Sequence, residues 1–129
     1  MDDKTVEVHR WFSKAQNDLL TSETMLRVEI PPTDTICFHA QQCAEKVLKA
    51  FLLFHDQVIE RTHYLPRLIE LCSFIDASFQ EIRSQAVALT DYAVVARYPD
   101  DWREIPNEEA VEAVDYAKQI MIFVRGKIQ

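Results

Sequence analysis

A single glycine, Gly126, stands in 129 residues, and with only 5 prolines the chain has few sites for tight turns. That scarcity disfavours an all-β design, whose hairpins depend on residues suited to turn geometry. It also excludes a Gly-rich phosphate loop or a dinucleotide fingerprint, so no cofactor is expected. Long apolar runs are missing too, and none approaches the roughly 18 residues of a membrane span. The opening segment, MDDKTVEVHR, is acidic and polar and does not read as a signal peptide. Cys37, Cys43 and Cys72 are odd in number, without CxxC spacing or a companion His at finger spacing. Each lies among apolar neighbours at helical positions, which predicts buried, reduced thiols in a cytoplasmic protein rather than disulfides or a metal site. The HExxH zinc motif and the nucleophile elbow are also absent.

What is present is a globular composition, 48% hydrophobic, rich in Ala, Leu, Glu, Gln and Lys. The length fits one domain spanning residues 1–129 with a sizeable core. A net charge of −7 opposes indiscriminate binding to nucleic acid, because that attraction is mostly phosphate electrostatics. A local basic site remains compatible with it. Adjacent Asp100-Asp101 read as solvated loop acids in preference to a cation site.

The spacing of apolar residues predicts helices. In the central stretch, Ile36, Ala40, Cys43, Val47, Ala50 and Phe54 recur at intervals of three and four, which puts them on one face. Ala44, Leu48 and Phe51 widen that face, as expected of a helix packed on several sides. Thr33 or Asp34 is the expected cap of this helix. A first helix is predicted from about Thr5 to Arg27, ended by Pro31-Pro32. A short third one carries Leu65, Leu68, Ile69 and Cys72, with Pro66 in its first turn. A fourth starts at Asp76 or Ser78, runs through Phe79, Ile82, Ala86, Leu89, Ala93 and Ala96, and closes at Tyr98-Pro99. Asn107 is the expected cap of the last, which runs through Ala110, Val114, Ala117, Met121, Val124 and Ile128. The fold class expected is all-α: an up-and-down four-helix bundle with an additional short helix.

Three features could carry chemistry. His39, Gln42, Lys46 and Lys49 form a polar line on the central helix. It reads either as a solvated face with a Glu45–Lys49 ion pair or as a wall of donors to a phosphate or nucleobase, and spacing alone favours the first. His63 can cap or pack locally, or act as a general acid/base if a partner lies within hydrogen-bond reach. Arg97-Tyr98-Pro99-Asp100 reads evenly as a helix-end ion pair or as a rigid turn presenting Arg97 to a phosphate, with Tyr98 or Trp102 available for stacking.

Several segments in order resemble the HEPN domain family. They are Trp11 with Lys14-Ala15 and Asp18-Leu19, the run CFHAQQCAEKVLKA from Cys37 to Ala50, Thr62-His63-Tyr64-Leu65, Arg97-Tyr98-Pro99-Asp100, and Glu108-Glu109-Ala110. The resemblance implies a helical bundle, usually homodimeric, associated with nucleotide or RNA binding and often paired with a minimal nucleotidyltransferase in a toxin–antitoxin-like couple. Carried over by motif, the binding candidates are Gln42, Lys46, Lys49, His63, Arg97, Tyr98 and Asp100. One departure is large: nuclease branches use an Arg followed by His after four to six residues, and no Arg here has a His at that spacing. The expectation is therefore a non-catalytic binding module. A metal-independent RNA endonuclease using His63 and Arg97, and a purely structural interaction protein, stand as alternatives. Phe38 and Leu52, off the main stripe, suggest a second buried surface such as a dimer interface.

Overall fold

A computed structural model of the chain describes residues 2–94 and 99–128. Five α-helices with short 3-10 segments form the described residues, with no strand among them. The first helix, α1, spans Asp3–Met25, and the Asp2 carboxylate caps it by accepting from the Thr5 N–H at 2.8 Å. The central helix, α2, spans Thr33–Phe54. Beyond it the chain turns through Asp56, whose φ of 60° is in the left-handed region that Asp tolerates better than most residues. Helix α3 spans Leu65–Ile75 with its proline in the first turn, α4 spans Arg83–Leu89, and α5 spans Asn107–Lys127.

The two expected side-chain caps are not formed. Pro32 precedes α2 and Pro106 precedes α5, and neither start has a side-chain cap bond. The Thr33 hydroxyl instead donates to the Ile105 carbonyl at 2.7 Å, so it ties the start of α2 to the segment entering α5. Asn107 is the first helical residue, one place later than a capping residue. Proline, with φ already fixed and no N–H to satisfy, occupies the boundary in both cases.

The expected fourth helix is broken into a 3-10 segment at Ala77–Ile82, α4 itself, and a second 3-10 segment at Thr90–Ala93. Its register still holds, since Phe79, Ile82, Ala86, Leu89 and Ala93 are all buried. Contacts three residues apart suit either helix type, so the spacing conveys which side faces in without distinguishing the two conformations. At the second break the Thr90 hydroxyl donates back to the Ala86 carbonyl at 2.9 Å, a bond that competes with the backbone ladder. Ala96 and the closing Tyr98 lie outside the described residues.

Helix α2 is the centre of the bundle and packs against α1, α3, α4 and α5. Small residues let α1 approach it closely: Ala15 and Ser22 on one side, Ala40, Cys43 and Ala44 on the other, all buried. The Ser22 hydroxyl donates to the Ile36 carbonyl at 2.8 Å inside this seam. On another side, Phe51 meets Phe79 with ring centroids 4.4 Å apart, and Phe79 meets Phe123 of α5 at 5.1 Å. Leu52 is 1% exposed, so the protomer's own core consumes it and it offers nothing to a dimer interface. The three cysteines are free and buried, as their apolar neighbours predict, and burial pushes each thiol up to about 12. No described helix is long and apolar enough to cross a membrane.

Asp76 joins two ends of the bundle. Its carboxylate accepts from the Ser78 N–H at 3.0 Å and hydroxyl at 2.6 Å, and pairs with Lys127 at the end of α5 at 2.9 Å. The Ser78 hydroxyl and Lys127 bonds lower its pKa from 3.8 to about 2. A depressed folded-state pKa means the contribution to stability is complete above 3.8 and is lost as pH falls through about 2. A side-chain carboxyl titration by NMR should find the Asp76 midpoint near 2 in the native protein. Lys127→Met should move it upward, and a midpoint that stays put in that variant would remove Lys127 from the account.

Candidate functional site

The polar line of α2 is taken up by hydrogen bonds to other side chains of the protein: Lys49 is buried, and His39, Gln42 and Lys46 are partly buried. Glu45 is 4% exposed, Lys49 6% and Gln41 0%. The i,i+4 pair expected from spacing does form, with Lys49 Nζ donating to Glu45 Oε2 at 3.0 Å. It forms in the interior, where an unpaired charge would be costly.

The second Glu45 oxygen faces the segment before α3. Glu45 Oε1 lies 2.8 Å from His63 Nδ1 and also accepts from Gln41 Nε2 at 3.2 Å. A carboxylate can only accept, so Nδ1 carries the hydrogen and Nε2 is the other ring nitrogen. Gln41 Nε2 further donates to the His63 carbonyl at 3.1 Å. Backbone and ring of His63 are thus both anchored from α2, while its side chain remains 60% exposed. Here is the hydrogen-bond partner that His63 lacked in the sequence.

A second network sits on the α1 side. The buried Asp18 carboxylate holds His39 Nδ1 at 2.8 Å through one oxygen and Lys46 Nζ at 2.5 Å through the other. Gln42 links toward the first network by donating to Gln41 Oε1 at 2.7 Å. Lys46 and Lys49 therefore each bind a buried acid of the protein itself, and Gln42 binds Gln41. Asp100 is exposed in a 3-10 turn at Pro99–Asp101. Arg97 and Tyr98 lie outside the described residues. Of the seven binding candidates, Gln42, Lys46, Lys49 and His63 come together around α2.

Asp18, His39, Gln41 and Glu45 also belong to these networks, although none of them is among the seven binding candidates. Glu45 and Gln41 had a visible signal, since 41, 45 and 49 are successive i,i+4 positions. Asp18 is 21 residues from His39 and 28 from Lys46, and no local spacing reveals such contacts.

A third cluster holds the segment entering α5. Glu109 accepts from both Arg103 terminal nitrogens, at 3.1 and 2.5 Å, and from the Tyr92 hydroxyl. The Arg103 bond keeps the Glu109 carboxyl below its ordinary value, whereas burial and then Glu109 push the Tyr92 phenol up. Trp102 beside it is 68% exposed. No group of His, Cys, Asp and Glu side chains suited to hold a metal ion occurs among the described residues.

Removing one member of the buried pair should be far more damaging than removing both. Glu45→Ala leaves the Lys49 ammonium buried and unpaired, with an expected loss of about 3–5 kcal/mol. Glu45→Met combined with Lys49→Met should recover most of that loss in chemical denaturation. A single variant within about 0.5 kcal/mol of wild type, the range of ordinary surface substitutions, would contradict the buried pairing.

Comparison with known proteins agrees with this architecture. The chain is similar to TT1696 from Thermus thermophilus, at 29% identity over 93% of this chain and 97% of that one, with a TM-score of 0.79. It is also similar to ST0689, an archaeal HEPN homologue, at 26% identity over 95% and 98% of the two chains, with a TM-score of 0.75. No curated protein matches the chain. The HEPN domain model matches residues 8–127, nearly the whole sequence, and the chain belongs to the HEPN domain family.

Proposed function

We propose that the chain is a non-catalytic HEPN binding module that contacts a nucleotide or a short stretch of RNA at His63. We propose further that it acts beside a nucleotidyltransferase partner in a toxin–antitoxin-like pair. The observation that carries the contact is the His63 ring, exposed yet fixed through Nδ1 by a buried carboxylate. Such a ring offers its Nε2 atom in a set orientation, as an acceptor when neutral and a charged donor when protonated. Pre-orientation lowers the ordering cost of binding.

The spent cations of α2 limit what this surface binds. Lys46 and Lys49 already pair with Asp18 and Glu45, so α2 supplies no row of free charges for a phosphate backbone. The chain's net charge of −7 works in the same direction. Both favour recognition of one or a few nucleotides over extended nucleic acid. The nucleotidyltransferase pairing rests on the family resemblance.

A second reading, a metal-independent RNA endonuclease, is favoured by one observation. A histidine backed by a carboxylate is the arrangement that general acid/base catalysis uses. One set of measurements separates the two. Calorimetric titration with nucleotides and short RNAs should give saturable heat that falls about tenfold or more in affinity in His63→Ala, the scale expected for losing a charged hydrogen bond. The RNA should remain intact after incubation with chelator present. Heat unchanged in His63→Ala, or none with any ligand, would overturn the binding site; RNA cleavage lost in His63→Ala would replace it with the nuclease.

A further inference from the structure

Away from α2, the first half of α1 and the end of α5 enclose a groove of about 400 Å³, lined by His9, Phe12, Ser13, Gln16, Arg125 and Ile128. That volume is within the range of about 300–1,000 Å³ typical of small-molecule sites. Residues 9, 12, 13 and 16 have one-face helical spacing, so α1 presents an imidazole, a hydroxyl and an amide along one wall. Phe12 and Ile128 supply an apolar floor.

Arg125 is the unusual member. It is partly buried, and among the described residues its guanidinium donates only to the Met121 thioether, at 3.5 Å. A thioether is a weak acceptor, whereas a guanidinium has five donors in a planar fork matched to an oxyanion. No carboxylate pairs with it among the described residues, whereas Lys127, two residues on, pairs with Asp76. Placement near the end of α5 lets the cation offset the helix dipole, and Lys127 in the same turn does so too. Among the described residues, no carbonyl at that helix end accepts from the fork.

We propose that this groove binds a small ligand whose oxyanion head, a carboxylate or a phosphate, engages Arg125 while a compact apolar body lies on Phe12 and Ile128. His9, Ser13 and Gln16 are the further donors to the head. An anion here meets the negative end of the α5 dipole, so its retention depends on Arg125 itself. The proposal is independent of the contact at His63, which does not line the groove.

The test uses the whole chain and three probes in calorimetric titration: benzoate, phenyl phosphate and inorganic phosphate. Saturable one-to-one binding is expected for at least one aromatic probe, and which one binds separates a carboxylate head from a phosphate head. Arg125→Gln, which keeps much of the side chain's bulk, should weaken it about tenfold or more. His63→Ala should leave it unchanged. Ser13→Leu, at an exposed position on the wall, should block the groove, so the test stands even if the Arg125 variant melts early. No saturable binding of either aromatic probe, equal binding by Arg125→Gln, or inorganic phosphate binding as tightly as phenyl phosphate would each overturn the site.

Discussion

The ion pair between Glu45 and Lys49 is the constraint on which the rest of the site depends. Two charges in a helix bundle's interior are tolerated only if each finds a counter-charge and the remaining lone pairs and protons find partners. Lys49 lies one turn from Glu45, 3.0 Å away, and satisfies one carboxylate oxygen. Gln41 and His63 satisfy the other. The segment before α3 is thereby bound to the central helix by a hydrogen-bond requirement as well as by apolar packing. His63 is held because Glu45 needs it.

The same logic repeats on the α1 side, where Asp18 binds both His39 and Lys46. Together the two acids convert a helix face rich in His, Gln and Lys into a scaffold of paired groups. A surface that looks basic in the sequence becomes nearly neutral in the fold. What this face presents outward is single oriented groups in place of a field of positive charge, and His63 is more exposed than His39 or Lys46. A local oriented contact of this kind does not need a favourable net charge.

Much of the architecture was legible because burial imposes a period. Of the stripe Ile36, Ala40, Cys43, Val47, Ala50 and Phe54, all but the partly buried Phe54 are buried, and the central position of its helix follows from the width of that stripe. The family likeness of the run from Cys37 to Ala50 was legible too. Where spacing could not decide, the expectation slipped: i+3 contacts fit both α and 3-10 geometry, so the breaks on either side of Arg83–Leu89 were hidden. The prolines at 32 and 106 set helix starts that Thr33, Asp34 and Asn107 seemed to own. For the site, the Glu45–Lys49 spacing was visible but its burial was not, because burial depends on what α3 and its preceding segment bring across. The Asp18 and His63 contacts are tertiary, and no local pattern encodes them. Arg97 and Tyr98 lie outside the described residues.

A buried carboxylate fixes the His63 ring and thereby sets which nitrogen faces outward. Nitrogen-15 NMR of the imidazole side chains tests it most directly, because the two neutral tautomers have distinct nitrogen shifts. Neutral His63 should carry its hydrogen on Nδ1 in the native protein, and Glu45→Gln should shift it toward a mixture of tautomers. A neutral His63 with its hydrogen mainly on Nε2 in the native protein would contradict the Glu45 bond and the orientation built on it.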